Sequence, residues 1–268
     1  MINNELYHHG ILGQRWGIRR FRRKDGSLTS AGKKRYYEDS GKQIKVNADG
    51  SKTVPVGFTF NRVGKSTQDV NISGATYVSY GKDDASRYIK YMGPTPLNKL
   101  LKLSAEAVQH ITVKQNLKMP SDKSFAEEIA KFLLSDEKRI KKFNESPYSR
   151  IVSGEVGKDV TIENVKGALA NPKGKEGQIL AYGISGILAD PQFSNDAKSL
   201  YKEFRQQGYD VLPDLSDRLS GTSKTAMIVI NPDKMEITST TTITKEVLKD
   251  ARMYVKSLEK LKVSELIS

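Results

Sequence analysis

Two short stretches of this chain carry residue types that could do chemistry. The run "FTFNRVGKST" (58–67) ends in Gly64-Lys65-Ser66-Thr67, the ending of a phosphate-binding loop. Such a loop cradles phosphates with the amides of a glycine-rich turn that opens a helix, and it needs a further glycine five positions before Gly64. Thr59 stands there, the residues before Lys65 are strand-like, and "STQDVNISG" after it is no helix former. Nucleotide hydrolysis by this route is not expected. Arg62, two residues before Gly64, carries more. Alternation places it on the face of Phe58 and Phe60, so it is expected to be part-buried. A buried guanidinium needs a partner, either a nearby carboxylate or an anionic ligand gripped by its fork of donors.

Other chemistries find little material. The chain has no cysteine and three histidines, His8, His9 and His110, so a thiolate zinc site is excluded and an all-protein metal site is not expected. His110 reads as structural. Glu127 and Glu128 are neighbours on a helix and cannot converge, and Tyr88 and Tyr91, three apart, are expected to share a packed helix face. No nucleophile–base–acid arrangement suggests itself.

The elements that must hold Arg62 form an α+β pattern. A strand covers about 57–63, and "GATYVSYG" (74–81) is a second, with Tyr77 and Ser79 on one face. A helix "DASRYIKYM" follows, capped by Asp83 or Asp84 and stopped by Gly93-Pro94. Residues 95–205 read as mostly helical, with "LNKLLKLSAEAVQHI" and "SFAEEIAKFLLSDEKRIKKF" showing three- and four-residue apolar spacing. "TAMIVI" (225–230) and "MEITSTTTI" read as strands, and Thr244 caps a final helix with an apolar stripe through Leu248, Ala251 and Val255. The expected organisation is a basic module at 1–45 and an α+β domain at 46–268, with a helical insertion at about 95–205.

Charge marks the first of these units. The chain of 268 residues has a net charge of +13, and residues 1–45 hold eleven basic against four acidic side chains. That excess seeks a polyanion or an acidic protein face. "IRRFRRKDGSLT" reads as a small hairpin turning at Asp25-Gly26, so Arg19, Arg20, Arg22 and Arg23, with the lone Trp16 as anchor, are the expected partner-binding residues. Nucleic acid is a possible partner of residues 15–35, through phosphate contacts that weaken with salt. No signal peptide and no run of about 18 apolar residues is read, so a soluble protein without a membrane partner is expected.

Two resemblances build on these residues. "YHHGILGQRWGIRRFRRKDGSLTSAGKKRYY" (7–37) resembles a module found in tailed-phage structural and head-associated proteins, with His8 or His9, Gly10, Gly13, Trp16, Gly17, Arg19, Arg20, Asp25, Gly26, Leu28, Thr29, Gly32, Arg35 and Tyr36 meeting its pattern. It implies a phage origin, a capsid or other virion protein as partner, and a location in the virion or the host cytoplasm. "FNRV", "ATYVSY", "GYDVLPD" and "MIVINPDKMEI", in that order, are similar to the mono-ADP-ribosyltransferase fold. That likeness implies an antiparallel or mixed β core, NAD as cofactor, Arg62 holding its ribose or diphosphate, and Tyr77 or Ser79 lining the nicotinamide pocket. The catalytic acid of that fold falls at Ala226 here. Asp214, with Asp210 and Asp217 as alternatives, would have to supply a carboxylate for the oxocarbenium-like transition state. The reading that follows is a virion-associated interaction protein with a degenerate transferase-like domain. An active NAD-dependent transferase acting on a host protein is the alternative, and a DNA-binding protein the second.

Overall fold

The computed structural model describes residues 43–65, 75–101, 104–146, 160–171, 174–185, 193–215 and 222–267, with the single positions 149, 188 and 217. The strands are β1 (Lys45–Val46), β2 (Lys52–Val54), β3 (Thr59–Gly64), β4 (Thr76–Val78), β5 (Ala107–Val113), β6 (Leu117–Met119), β7 (Val211–Pro213), β8 (Met227–Val229) and β9 (Met235–Thr242). The helices are α1 (Lys82–Met92), α2 (Pro96–Leu100), α3 (Asp122–Leu134), α4 (Glu137–Asn144), α5 (Ile162–Ala170), α6 (Lys175–Ser185), α7 (Ser194–Gln206) and α8 (Lys245–Ile267). The architecture is α+β, and every strand pair is antiparallel.

Three small sheets, β1-β2-β6, β3-β5-β9 and β4-β8-β7, join end to end. Asn61 of β3 and Ser79 after β4 exchange backbone hydrogen bonds of 2.7 and 2.9 Å. The Asp210 amide donates to Lys118 O at 2.8 Å, and the Lys118 amide donates to the Asp210 carboxylate at 3.0 Å, linking β6 to β7. β5 runs on into β6 through a short turn, so the strands curl round one apolar core. Phe58, Phe60, Val78, Ile111, Val211 and Val229 fill it. Alternate residues point outward: Leu212 and Ile228 join a second core made with α3–α7, built on Phe125, Phe143, Phe193 and Phe204. On the same outer side, Val63 and Val108 meet Ile89 of α1 and Leu248 and Ala251 of α8.

Local sequence explains several boundaries. Ser121 caps α3, Asp136 caps α4, and Thr161 with Asn164 forms a capping box on α5. Thr244 accepts from the Val247 amide at the start of α8. α1 begins after Gly81, whose φ of 80° suits glycine, with Asp83 and Asp84 in its first turn rather than at its cap. Gly93 ends α1 where a Cβ would meet Ile89 O at 2.5 Å and Leu248 Cδ1 at 2.7 Å. Gly93→Ala is therefore expected to cost about 1–3 kcal/mol by forcing α1 off α8, read as a lower urea midpoint.

One expected helix is not there. "LNKLLKLSAEAVQHI" divides into the five-residue α2 and the strand β5, which pairs β3 on one side and β9 on the other. The helical insertion thus runs over α3–α7 rather than from residue 95. Tyr88 and Tyr91 also part company: Tyr88 is tied down by a carboxylate while Tyr91 is 57% exposed.

Candidate functional site

Sheet register decides which of the expected residues meet. Val78, Met227 and Pro213 stand opposite one another across β4, β8 and β7, and Val78 and Met227 face the apolar core. The next step along each strand must face the other way. That step holds Ser79, Ala226 and Asp214, with the Asp214 amide donating to Ala226 O at 3.1 Å. Ser79 pairs onward with Asn61, which stands opposite His110 on β5 and, beyond it, Ser239 on β9. A row of small and polar residues thus crosses the outer face of the joined sheet, and α1 packs over it.

From Asp214 to Asn61 the row is buried, His110 is half-buried and Ser239 is exposed, and the row is partly bonded. His110 Nδ1 lies 2.9 Å from Asn61 Oδ1 and its Nε2 3.2 Å from Thr241 Oγ1. Asn61 Nδ2, Ser79 Oγ and, on α1, Ser86 Oγ are buried with no hydrogen-bond partner. An unmet buried polar atom costs about 1–3 kcal/mol, so this stretch is held in place by the packing and bonds around it.

Two carboxylates pin α1 down as the roof. Asp84 Oδ2 accepts from Ser223 Oγ (2.6 Å), the amides of Lys224 (2.9 Å) and Thr225 (2.7 Å), and Thr225 Oγ1 (2.6 Å). Tyr88 donates to the Asp217 carboxylate. Burial, then the charges of Asp217 and Asp214, push the Tyr88 phenol far above its usual range, so it stays a donor. Asp214, only 5% exposed, accepts from the Asp217 amide at 3.2 Å. Tyr77 donates to Leu188 O at 2.9 Å, and the Tyr201 hydroxyl lies 3.5 Å from the same carbonyl, its phenol raised by burial and by Asp214.

Tyr77, Ser79 and Asp214 therefore share one face, in a patch of tyrosines and acids. Arg62 does not join them. It stands opposite Gln109, next to the Phe60–Ile111 pair, on the face that looks into the β core. Its Nη1 donates to Gln109 Oε1 at 3.2 Å, and burial lowers the guanidinium below its ordinary value. β3 and β4 are neighbours, yet Arg62 and Tyr77 lie on opposite sides of them. Asp210 is spent on structure: its carboxylate also accepts from Asn231 Nδ2 (3.0 Å) and pairs with Lys234 (2.8 Å). Trp16, Arg19, Arg20, Arg22 and Arg23 lie outside the described residues, as do Ser66 and Thr67. Gly64 ends a strand, and Lys65 pairs with Glu106 at 3.2 Å.

Sequence reasoning missed Asn61, Ser86, Tyr88 and Tyr201 as members of this patch. Only the polar interruption of apolar strands, Asn61 and Arg62 between Phe60 and Val63 and Ser79 between Val78 and Tyr80, could have signalled it. Among the described residues no cluster of His, Asp or Glu could hold a metal ion, and no helix is long and apolar enough to cross a membrane.

His110 gives the row a pH signature. Burial lowers its pKa from the ordinary 6.5, so the native state holds fewer protons than the unfolded chain just below that value. Stability is fully present above pH 6.5 and declines as pH falls from there toward the depressed native pKa. In His110→Gln the dependence of melting temperature on pH between 6.5 and 5 is expected to be shallower than in the wild type.

No protein-family model matches this chain, and neither a curated protein nor a solved structure matches it.

Proposed function

We propose that this chain is a phage-encoded, virion-associated interaction protein, docked on a capsid component by the basic residues 1–45, with an ADP-ribosyltransferase-like domain that has lost transferase chemistry. One observation supports the loss: Arg62 and the trio Tyr77, Ser79 and Asp214 lie on opposite faces of adjoining strands. Cleaving NAD requires a carboxylate aimed at the positive charge that develops on the ribose while the same cofactor is held by its anionic part. A ligand gripped by Arg62 on the core side is separated from Asp214 by the sheet itself. Ala226, the acid's place in the resemblance, offers no charge, and α1 roofs the row. The docking half rests on the charge excess of residues 1–45 and on the phage module they resemble.

Particles assembled in the presence of the full chain and of a form lacking residues 1–45 test the docking. Incorporation is expected only for the full chain, and equal incorporation of both would refute the role given to that segment.

An active NAD-dependent transferase acting on a host protein remains the competing reading, because Asp214 lies one strand from Ala226 and shares a face with Tyr77 and Tyr201. It requires NAD binding, measured calorimetrically, that Arg62→Ala abolishes.

A further inference from the structure

Surface cations on α3 are answered by acids: Lys123 pairs with Glu127 and Lys131 with Glu128. On α8 they are not. Lys245, Lys249, Arg252 and Lys256 are all exposed, and none makes an ion pair with a described residue. At 100° per residue these positions fall within an arc of about 60° and span about 17 Å of helix axis. They form one straight row of positive charge on a single helix.

Two acids flank the row without interrupting it: Glu259 pairs with Lys90 of α1 at 3.0 Å, and Glu246 lies to the other side, three residues before Lys249. The other side of the helix is engaged with the fold. Leu248, Ala251 and Val255 are buried, and the Tyr254 hydroxyl donates to Asp83 at 2.8 Å while Lys82 lies over its ring at 3.3 Å. The row is thus held by α1 and exposed, and none of its four side chains is tied by an ion pair to a described residue.

We propose that this face of α8 is a docking surface for the phosphate backbone of duplex nucleic acid. A linear array of cations, regularly stepped and without an intervening carboxylate, complements a linear array of phosphates, and each contact would release counterions from the duplex. A membrane surface fits less well, because an interfacial helix lays an apolar face into the lipid and the apolar residues of the described stripe are packed against α1. The surface is independent of the virion-docking reading and separate from the basic hairpin expected at residues 15–35.

The test is fluorescence anisotropy of the full chain with a labelled 30-base-pair DNA of arbitrary sequence, titrated with salt. Three sets of substitutions are compared. One converts Lys245, Lys249, Arg252 and Lys256 together to Gln, and a second does the same at the exposed Lys138, Lys141, Lys198 and Lys202 of α4 and α7. The third converts Arg19, Arg20, Arg22 and Arg23. Four phosphate contacts give a slope of log affinity against log salt of about −3.6, and the α8 variant is expected to lose a slope of that size while the α4–α7 variant keeps it. An unchanged slope in the α8 variant overturns the proposal, as does an equal loss in both helix variants, which would reflect net charge alone. A slope lost only in the Arg19–Arg23 variant moves DNA binding to the amino-terminal segment and overturns it too. Binding to phosphatidylserine vesicles but not to DNA, lost with the same four α8 residues, would assign the surface to lipid instead. Glutamine is a good helix former at exposed positions, and an unchanged melting temperature checks that α8 is intact.

Discussion

Asp84→Ala is expected to lower stability by about 4 kcal/mol, the worth of two charge-assisted hydrogen bonds at about 2 kcal/mol each once non-additivity within one network is allowed for. The side chain is 3% exposed, and one of its oxygens takes four donors from three consecutive residues, Ser223, Lys224 and Thr225. Truncation removes the acceptor and strands those donors, Ser223 among them almost fully buried. Thr225 also holds α1's approach, because Thr225 Oγ1 accepts from the Tyr80 amide at 3.0 Å and its one proton is shared between Asp84 and Tyr80 O, which lies 2.5 Å away. Loss of Asp84 therefore frees both the helix that roofs the polar row and the segment that leads into β8. Urea unfolding should show a lower midpoint with an unchanged slope. Asp84→Asn keeps an acceptor but forfeits the charge, so its loss should be roughly half as large.

Asp210→Ala should cost about 3 kcal/mol, near the lower end for removing one partner from a buried ion pair. Its carboxylate accepts from the Lys118 amide, Asn231 Nδ2 and Lys234, and its backbone amide and carbonyl bond Lys118 and the Ile230–Asn231 amides. The residue is a rivet where β6 meets β7. Its backbone bonds survive truncation, so the strands stay joined and the cost falls on the unpaired Lys118 amide and Lys234. Lys234 is 31% exposed and can turn to water, which keeps the loss below that at Asp84. The same unfolding experiment measures it. A negligible change would mean that water replaces the carboxylate without penalty.

The sequence exposed much of this fold where one face of an element is buried and the other is wet. Phe58 and Phe60 mark β3, Asp49-Gly50 marks the β1–β2 turn, and Leu248, Ala251 and Val255 mark the buried side of α8. β5 was hidden because both of its faces are covered. Ala107, Gln109, Ile111 and Val113 face one way and Val108 the other, and all five are buried. Gln109, His110 and Thr112 break its apolar alternation, and it follows the leucines of α2 closely enough to imitate helical spacing. The site was hidden for a different reason. Asn61, Ser79, His110 and Asp214 are each unremarkable in their own segments, and only cross-strand register places them in one row. Register also separates Arg62 from Tyr77: alternation within β3 was legible, but the pairing of Asn61 with Ser79, which fixes the relative faces of β3 and β4, is a contact between distant residues. For the same reason Ala226 could be read as an empty acid position and Asp214 named as one of three candidate carboxylates, while its place beside Ala226 on the neighbouring strand was not legible.

The central proposal is that a sheet divides Arg62 from the acid and the tyrosines and that this domain is therefore expected not to cleave NAD. The direct test is to incubate the full chain with millimolar NAD and quantify nicotinamide. The account predicts release equal to that of buffer, for the wild type as for Arg62→Lys and Asp214→Asn. Nicotinamide formed above buffer by the wild type and abolished by either substitution would contradict it.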